Sequence, residues 1–309
     1  MTLISSLPRA PLAVAAVSRR CYSTSRSPLP LAFLDYGDAS SPSPSPSQGV
    51  TLLTLNRPEA KNAINSQMLD ELHTAVESLQ HDGHTRTLII NSMVAGAFCS
   101  GADLKERHSM SKQNFHKWHA KLGHTFRGLA NLPFPVIAAM DGLALGGGLE
   151  LALTADFRVA GPLTTKLGLP ETRHAIIPGA GGTQLLSRLI GPSRAKYLIF
   201  SGRIFDREYA YQHGIIDELA DDGPEEGEGH AHGNEAGLRL ARKMAQQIGQ
   251  GGPLALRAAK AAINKGLDMD VNTAMEWEKA CYKTLFDTKD REEGLLAFKE
   301  KRKPEYRGQ

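Results

Sequence analysis

Before Asp35 this 309-residue chain contains no acidic residue, although Arg9, Arg19, Arg20 and Arg26 are already present. The formal charge of +3 is therefore misleading. Removing those four from the 36 basic residues leaves 32 against 33 acidic, so the body of the chain is close to neutral and shows no bulk attraction for nucleic acid. Cysteine is also scarce. Cys21, Cys99 and Cys281 are too few and too far apart for a disulfide framework or a zinc spacing, and Cys99 reads as small packing volume. No apolar run approaches the roughly 20 residues that a membrane-spanning helix needs. No His-Glu-x-x-His pattern occurs among the 11 histidines. No phosphate-binding loop ends in Gly-Lys-Ser/Thr, and Gly179-Ala180-Gly181-Gly182-Thr183-Gln184 lacks the third glycine of a dinucleotide fingerprint. These absences argue against a resident metal and against a cofactor.

What is present divides into a leader, a core and a C-terminal helical region. Residues 1–26 are Ser-rich, Arg-containing and acid-free, the composition of a mitochondrial transit peptide, and predict the mitochondrial matrix. Pro8, Arg9 and Pro11 interrupt the apolar stretch that a secretory signal would need. Residues 27–250 read as the core and 251–309 as a helical oligomerisation region. Two segments inside the core cannot build packed structure. Residues 38–48 repeat Ser-Pro and predict an extended loop. Residues 221–235 are acidic and Gly-rich, and contain His230 and His232 without a recognised ligand spacing, so they read as a solvated insertion.

Strand-like runs at 31–36, 50–56, 87–91, 136–140 and 157–160 alternate with helical patterns at 62–80, 112–132 and 182–190. Helices resume from Ala236, with a break at 249–253 and further helices at 256–265 and 271–285. This order argues an α/β fold with crossover connections.

The most telling segment is Leu143-Ala144-Leu145-Gly146-Gly147-Gly148-Leu149-Glu150-Leu151-Ala152-Leu153. Glycines let backbone approach a ligand, and N–H groups at a helix start can stabilise negative charge. Glu150 sits alone in an apolar run, where a carboxylate needs partners or a task. The segment alone serves equally as a tight turn before a core helix. Glu171, read locally, is a turn or cap carboxylate.

Phe98-Cys99-Ser100-Gly101-Ala102-Asp103-Leu104-Lys105-Glu106 upstream, and Pro170-Glu171 with Ile176-Ile177-Pro178-Gly179-Ala180-Gly181-Gly182 downstream, complete an ordered set. In this order the three segments resemble the crotonase (enoyl-CoA hydratase/isomerase) superfamily, and Gly294-Leu295-Leu296-Ala297-Phe298-Lys299-Glu300-Lys301-Arg302 extends the likeness to the C-terminus. The resemblance implies a crotonase spiral of ββα units followed by a C-terminal helical region. It implies Glu150 and Glu171 as catalytic acid and base, and an oxyanion hole from the N–H groups of Ala102 and Gly147. It implies CoA and substrate contacts at Lys61, Ala63, Ala102, Asp103, Leu104, Lys105 and Gly146, with Phe298 and Lys301 reaching the CoA of a neighbouring subunit in a trimer or a dimer of trimers. The substrate is then an acyl-CoA thioester, whose CoA is the only cofactor-like group involved.

Within the superfamily the chain is most similar to the methylglutaconyl-CoA hydratase branch. That substrate carries a distal carboxylate, for which Arg107 and Arg173 are candidate partners. Two glutamates favour hydration over Δ3,Δ2-enoyl-CoA isomerisation. A general short-chain hydratase is the alternative. The branch includes an AU-rich RNA-binding member with a comb of lysines on its first long helix. Here Ser66, Asp70 and Thr74 stand at those places beside Glu71 and Glu77, which argues against RNA binding.

Overall fold

The structure, a computed structural model, describes residues 30–36, 49–221 and 235–309. The expected leader, the Ser-Pro loop and nearly all of the acidic insertion lie outside the described residues.

Two sheets form the framework. The larger has six strands in the order β1 (Ala32–Asp35), β2 (Val50–Leu55), β3 (Thr87–Ser92), β5 (Val136–Met140), β7 (Phe157–Ala160) and β9 (Glu218–Leu219). Only β1 runs antiparallel to its neighbour. The second sheet has three parallel strands, β4 (Gly96–Cys99), β6 (Gly142–Leu145) and β8 (Leu167–Gly168). The chain visits the two sheets alternately and so winds as a spiral.

Side-chain alternation explains why the central strands are apolar throughout, since successive residues point to opposite faces and both are covered. One face, with Leu53, Leu55, Leu88, Ile90, Ala138 and Met140, joins the main core. There α1 (Ser66–His81) contributes Met68, Leu72 and Leu79, and α3 (Lys112–Ala130) contributes Trp118, Phe126 and Leu129. The opposite face, with Leu52, Ile89, Ile137, Ala139 and Val159, is covered by Leu238, Ala241 and Ala245 of α8 (Ala236–Ile248). The remaining helices are α2 (Leu104–Ser109), α4 (Gly147–Leu153), α5 (Gly182–Ile190), α6 (Pro192–Ser201) and α7 (Arg207–Gln212) in the core, with α9 (Pro253–Gly266), α10 (Val271–Lys283) and α11 (Lys289–Glu300) beyond it.

The first helix begins at Ser66, not Asn62. Asn65 caps it, accepting from the Met68 N–H at 2.9 Å. Asn62 has φ +55 and is fully buried, and Ile64 is spent on a β-bridge to Ala102. The short sheet has no counterpart in the sequence reading. Its strands pack so closely on α4 that a Cβ on Gly148 would collide with the Cys99 carbonyl oxygen, so only glycine fits there.

Candidate active site

The site lies at the carboxyl ends of the short parallel sheet, where open α/β sheets commonly bind ligands. Ala102 follows β4, Gly147 follows β6 and Glu171 follows β8. The first two backbones are in contact, since a Cβ on Gly147 would lie 3.6 Å from the Ala102 nitrogen. The Ile64 bridge uses the Gly101 carbonyl as acceptor (2.7 Å) and the Asp103 N–H as donor (3.0 Å), which passes over the Ala102 N–H. Gly147 is the first residue of α4, and its N–H precedes the first intrahelical bond, from Glu150 N–H to the Gly146 carbonyl at 2.9 Å. Two such N–H groups side by side, one at a helix start, suit a developing oxyanion.

Glu150 is held one turn into α4 and is 3% exposed. Its Oε1 accepts from the N–H groups of Ala180 and Gly182, each at 2.8 Å. Burial nevertheless wins and raises its carboxyl above the ordinary range, against the opposing pull of those donors and the Gly179 N–H. Glu171 opens a 3-10 turn over Glu171–His174. It lies against the glycine turn, because a Cβ on Gly146 would approach its Oε1 to 3.1 Å. Its Oε2 is buried and unpartnered among the described residues. Burial first, and the Glu150 charge second, push the Glu171 carboxyl up to about 7, while its own backbone N–H and Arg107 pull the other way. The structure thus brings together Glu150, Glu171, Gly146, Gly147 and Ala102, with Arg107 in electrostatic reach of Glu171. Two carboxyls in unlike environments can divide acid and base work.

The rim around Ala102 is built from two segments tied together. The Ser100 N–H donates to the Lys61 carbonyl (3.0 Å), and its Oγ donates to the Ala60 carbonyl (3.1 Å). Lys61 takes φ +49, and Asn62 is pinned by its side chain to Ser92 Oγ (2.7 Å) and the Phe98 carbonyl (2.9 Å). Lys61, Leu104 and Lys105 are exposed on this rim, and Ala63 is half-buried. Asp103 points elsewhere, ion-paired to Arg57 at 2.8 Å and capping α2 through the N–H groups of Lys105 and Glu106. Cys99 is packing volume as expected. Its Sγ donates to the Asn62 carbonyl at 3.0 Å, and burial pushes the thiol up to about 12.

The two arginines part company. The Arg107 guanidinium lies 4.9 Å from the Phe115 ring centroid, in no ion pair among the described residues. Arg173 turns outward and donates to the Ser201 carbonyl from Nε (3.3 Å) and Nη2 (3.2 Å), which occupies it at the end of α6. Phe298 (86% exposed) and Lys301 lie on α11 and its cap, at the surface of the C-terminal helices. A separate cavity of about 910 Å³ opens at the far end of α4, between Leu153–Ala155 and α9. It shares only the Gly179–Gly181 wall with the Glu150 cradle. That cradle was missed by sequence reasoning. Its one signal was the glycine cluster after Pro178, but the bonds to Glu150 span 30 and 32 residues.

An α/β spiral with one buried and one half-buried glutamate beside paired backbone N–H groups defines an enzyme of the crotonase class. The chain belongs to the enoyl-CoA hydratase/isomerase family, whose profile matches residues 45–309. It is 47% identical over 262 residues to the mitochondrial methylglutaconyl-CoA hydratase of Homo sapiens, covering 85% of this chain and 75% of that protein. It is 46% identical to the probable mitochondrial enoyl-CoA hydratase 2 of Arabidopsis thaliana, covering 84% and 82%. A crystal structure of enoyl-CoA hydratase from Bacillus anthracis superposes with a TM-score of 0.80 at 38% identity, covering 90% of this chain and all of that one.

Proposed function

We propose that the chain hydrates an α,β-unsaturated acyl-CoA, with 3-methylglutaconyl-CoA as the preferred substrate. The observation that carries hydration is the pair of glutamates in unlike environments, Glu150 buried and Glu171 half-buried, beside the Ala102 and Gly147 N–H groups. The thioester oxygen binds the two N–H groups. Glu150, held in place by the Ala180 and Gly182 N–H groups, takes a proton from water as the water oxygen bonds to C3. The π electrons move through the thioester to an enolate, whose charge the N–H groups carry. Glu171, which burial keeps protonated near neutrality, gives its proton to C2. Return of the Glu150 proton to Glu171 through solvent closes the cycle.

The preferred substrate rests on Arg107 and on the relatives that bear this activity in their names. Arg107 is half-buried, stands close enough to Glu171 to oppose its shift, and is in no ion pair among the described residues. A distal carboxylate on the acyl group would complete it. Lys61 and Lys105 suit the phosphates of CoA. Relatives named as mitochondrial, together with the acid-free leader, support a place in the mitochondrial matrix. The exposed apolar residues of the C-terminal helices, among them Ile263, Leu267, Val271 and Phe298, support a trimer or dimer of trimers in which α11 reaches a neighbour's CoA. The test is hydration of 3-methylglutaconyl-CoA and crotonyl-CoA side by side by the protein lacking residues 1–26. A higher kcat/KM on the former is expected. No hydration of either refutes the activity, and an advantage for crotonyl-CoA refutes the substrate.

A further inference from the structure

We infer that residues 303–309 act as a latch that fixes the position of α11, and with it Phe298 and Lys301. The functional side of this inference rests on the reading that those two residues serve the CoA moiety.

Helix α11 has little apolar anchorage. Its only buried residues are Asp290 and Ala297, whereas Leu295, Leu296 and Phe298 are exposed. Within the single chain, polar contacts and not apolar burial hold it. At Lys301 the backbone turns left-handed (φ +54), and the chain doubles back along the helix. Arg302 closes the turn with a two-pronged ion pair to Glu293, at 2.6 and 2.9 Å. The tail then descends the helix in step with it. The Glu305 N–H donates to Glu293 Oε1 at 2.8 Å. The N–H groups of Arg307 and Gly308 donate to the two oxygens of Asp290, at 2.7 and 2.8 Å. Asp290 and Glu293 are one helical turn apart, so they present both carboxylates on one face. Asp290 is 6% exposed, and a carboxylate so buried is tolerable only because both oxygens have donors.

The latch also reaches the core. Arg86 Nη2 donates to the Tyr306 carbonyl at 3.0 Å, and the backbone N–H groups of Arg86 and Thr87 donate to the Gly49 carbonyl where β2 and β3 begin. The Tyr306 ring lies over Gly252, just before α9, and its hydroxyl would meet a Cβ on Gly294 at 3.0 Å. The tail therefore joins three bodies: the central sheet, the start of α9 and the outer helix. In this arrangement Asp290, Arg86 and Tyr306 are positioning residues.

The experiment compares the full chain with a chain ending at Arg302, with Arg86→Met, and with Asp290→Ala beside the conservative Asp290→Asn. Hydrogen exchange of the α11 amides and the steady-state constants on crotonyl-CoA are the readouts. Truncation, Asp290→Ala and Arg86→Met should each accelerate α11 exchange and raise KM about tenfold, the worth of roughly one or two lost hydrogen bonds. kcat should stay within about twofold, because Glu150 and Glu171 are not disturbed. Asp290→Asn, which keeps one acceptor, should recover part of the loss. Unchanged α11 exchange on truncation overturns the latch. Faster exchange with an unchanged KM overturns the CoA role of α11, while leaving hydration by the two glutamates standing.

Discussion

Glu171 rests on Gly146: one of its carboxyl oxygens would be 3.1 Å from any Cβ placed there. Gly146 has φ +52 and ψ −126, a backbone conformation that L-residues rarely adopt. Gly146→Ala therefore meets strain and a displaced carboxyl together. The strain should cost about 1–3 kcal/mol, read as a lowered Tm. kcat should fall further than that loss of stability explains, because the moved group is the proposed proton donor. A variant with native Tm and native kcat would show that the contact has no role.

Replacing either carboxyl by its amide should separate chemistry from folding. In Glu150→Gln the amide oxygen still accepts the Ala180 and Gly182 N–H groups, so the cradle survives. Glu171→Gln keeps the volume beside Gly146. Each should lower kcat by about 10²–10⁴-fold, the usual share of general acid–base catalysis. Circular dichroism should remain native. Near-normal turnover in either variant would remove that residue from the mechanism.

The pH dependence follows from Glu171. If its proton is the one delivered to C2, kcat must fall as pH rises through about 7. Because Arg107 pulls this carboxyl down, Arg107→Met should move that limb to higher pH. Stability has its own sign. A carboxyl raised in the folded state binds more protons there than in the unfolded chain, so its contribution is full below the unfolded value and is lost as pH rises toward about 7. Glu171→Gln should therefore gain more stability at pH 8 than at pH 5. A rate profile flat across pH 6–8 would contradict the assignment.

Arg107 should also decide substrate preference. A charge-assisted hydrogen bond to a distal carboxylate is worth about 1.5–3 kcal/mol, or roughly ten- to hundredfold in kcat/KM. Arg107→Met should lose that much on 3-methylglutaconyl-CoA and much less on crotonyl-CoA. Arg173→Met should affect both substrates alike, since its guanidinium is engaged with the Ser201 carbonyl. Equal losses on both substrates in Arg107→Met would assign the arginine to Glu171 alone.

The elements of the larger sheet and its covering helices were legible from apolar runs and helical spacing. Val136–Met140, Phe157–Ala160 and Gly182–Ile190 fall where apolar patterning puts them. The short sheet was not. Each of its strands contains a glycine, which breaks the apolar run, and Gly142–Leu145 merges with the glycine turn that follows. Glu150 announced itself as a lone charge in an apolar run. Glu171 did not, because what raises it is burial against Gly146 and proximity to Glu150, which only the folded chain creates. Family resemblance supplied that pairing. The early start expected for α1 failed for a related reason: Ile64 has helical spacing but spends its backbone on the Ala102 bridge.

Strands β4 and β6 are hydrogen-bonded neighbours, and each ends a few residues before one of the two backbone N–H groups, of Ala102 and of Gly147, proposed to bind the thioester oxygen. The strands that lead to that pair lie one lateral sheet repeat apart, about 4.8 Å, a dimension written into peptide bonding and shared by every sequence. Side chains around the pocket can be exchanged without resetting it. The side chains around the two glutamates are free to drift among substrates while the backbone frame that carries the paired N–H groups is kept.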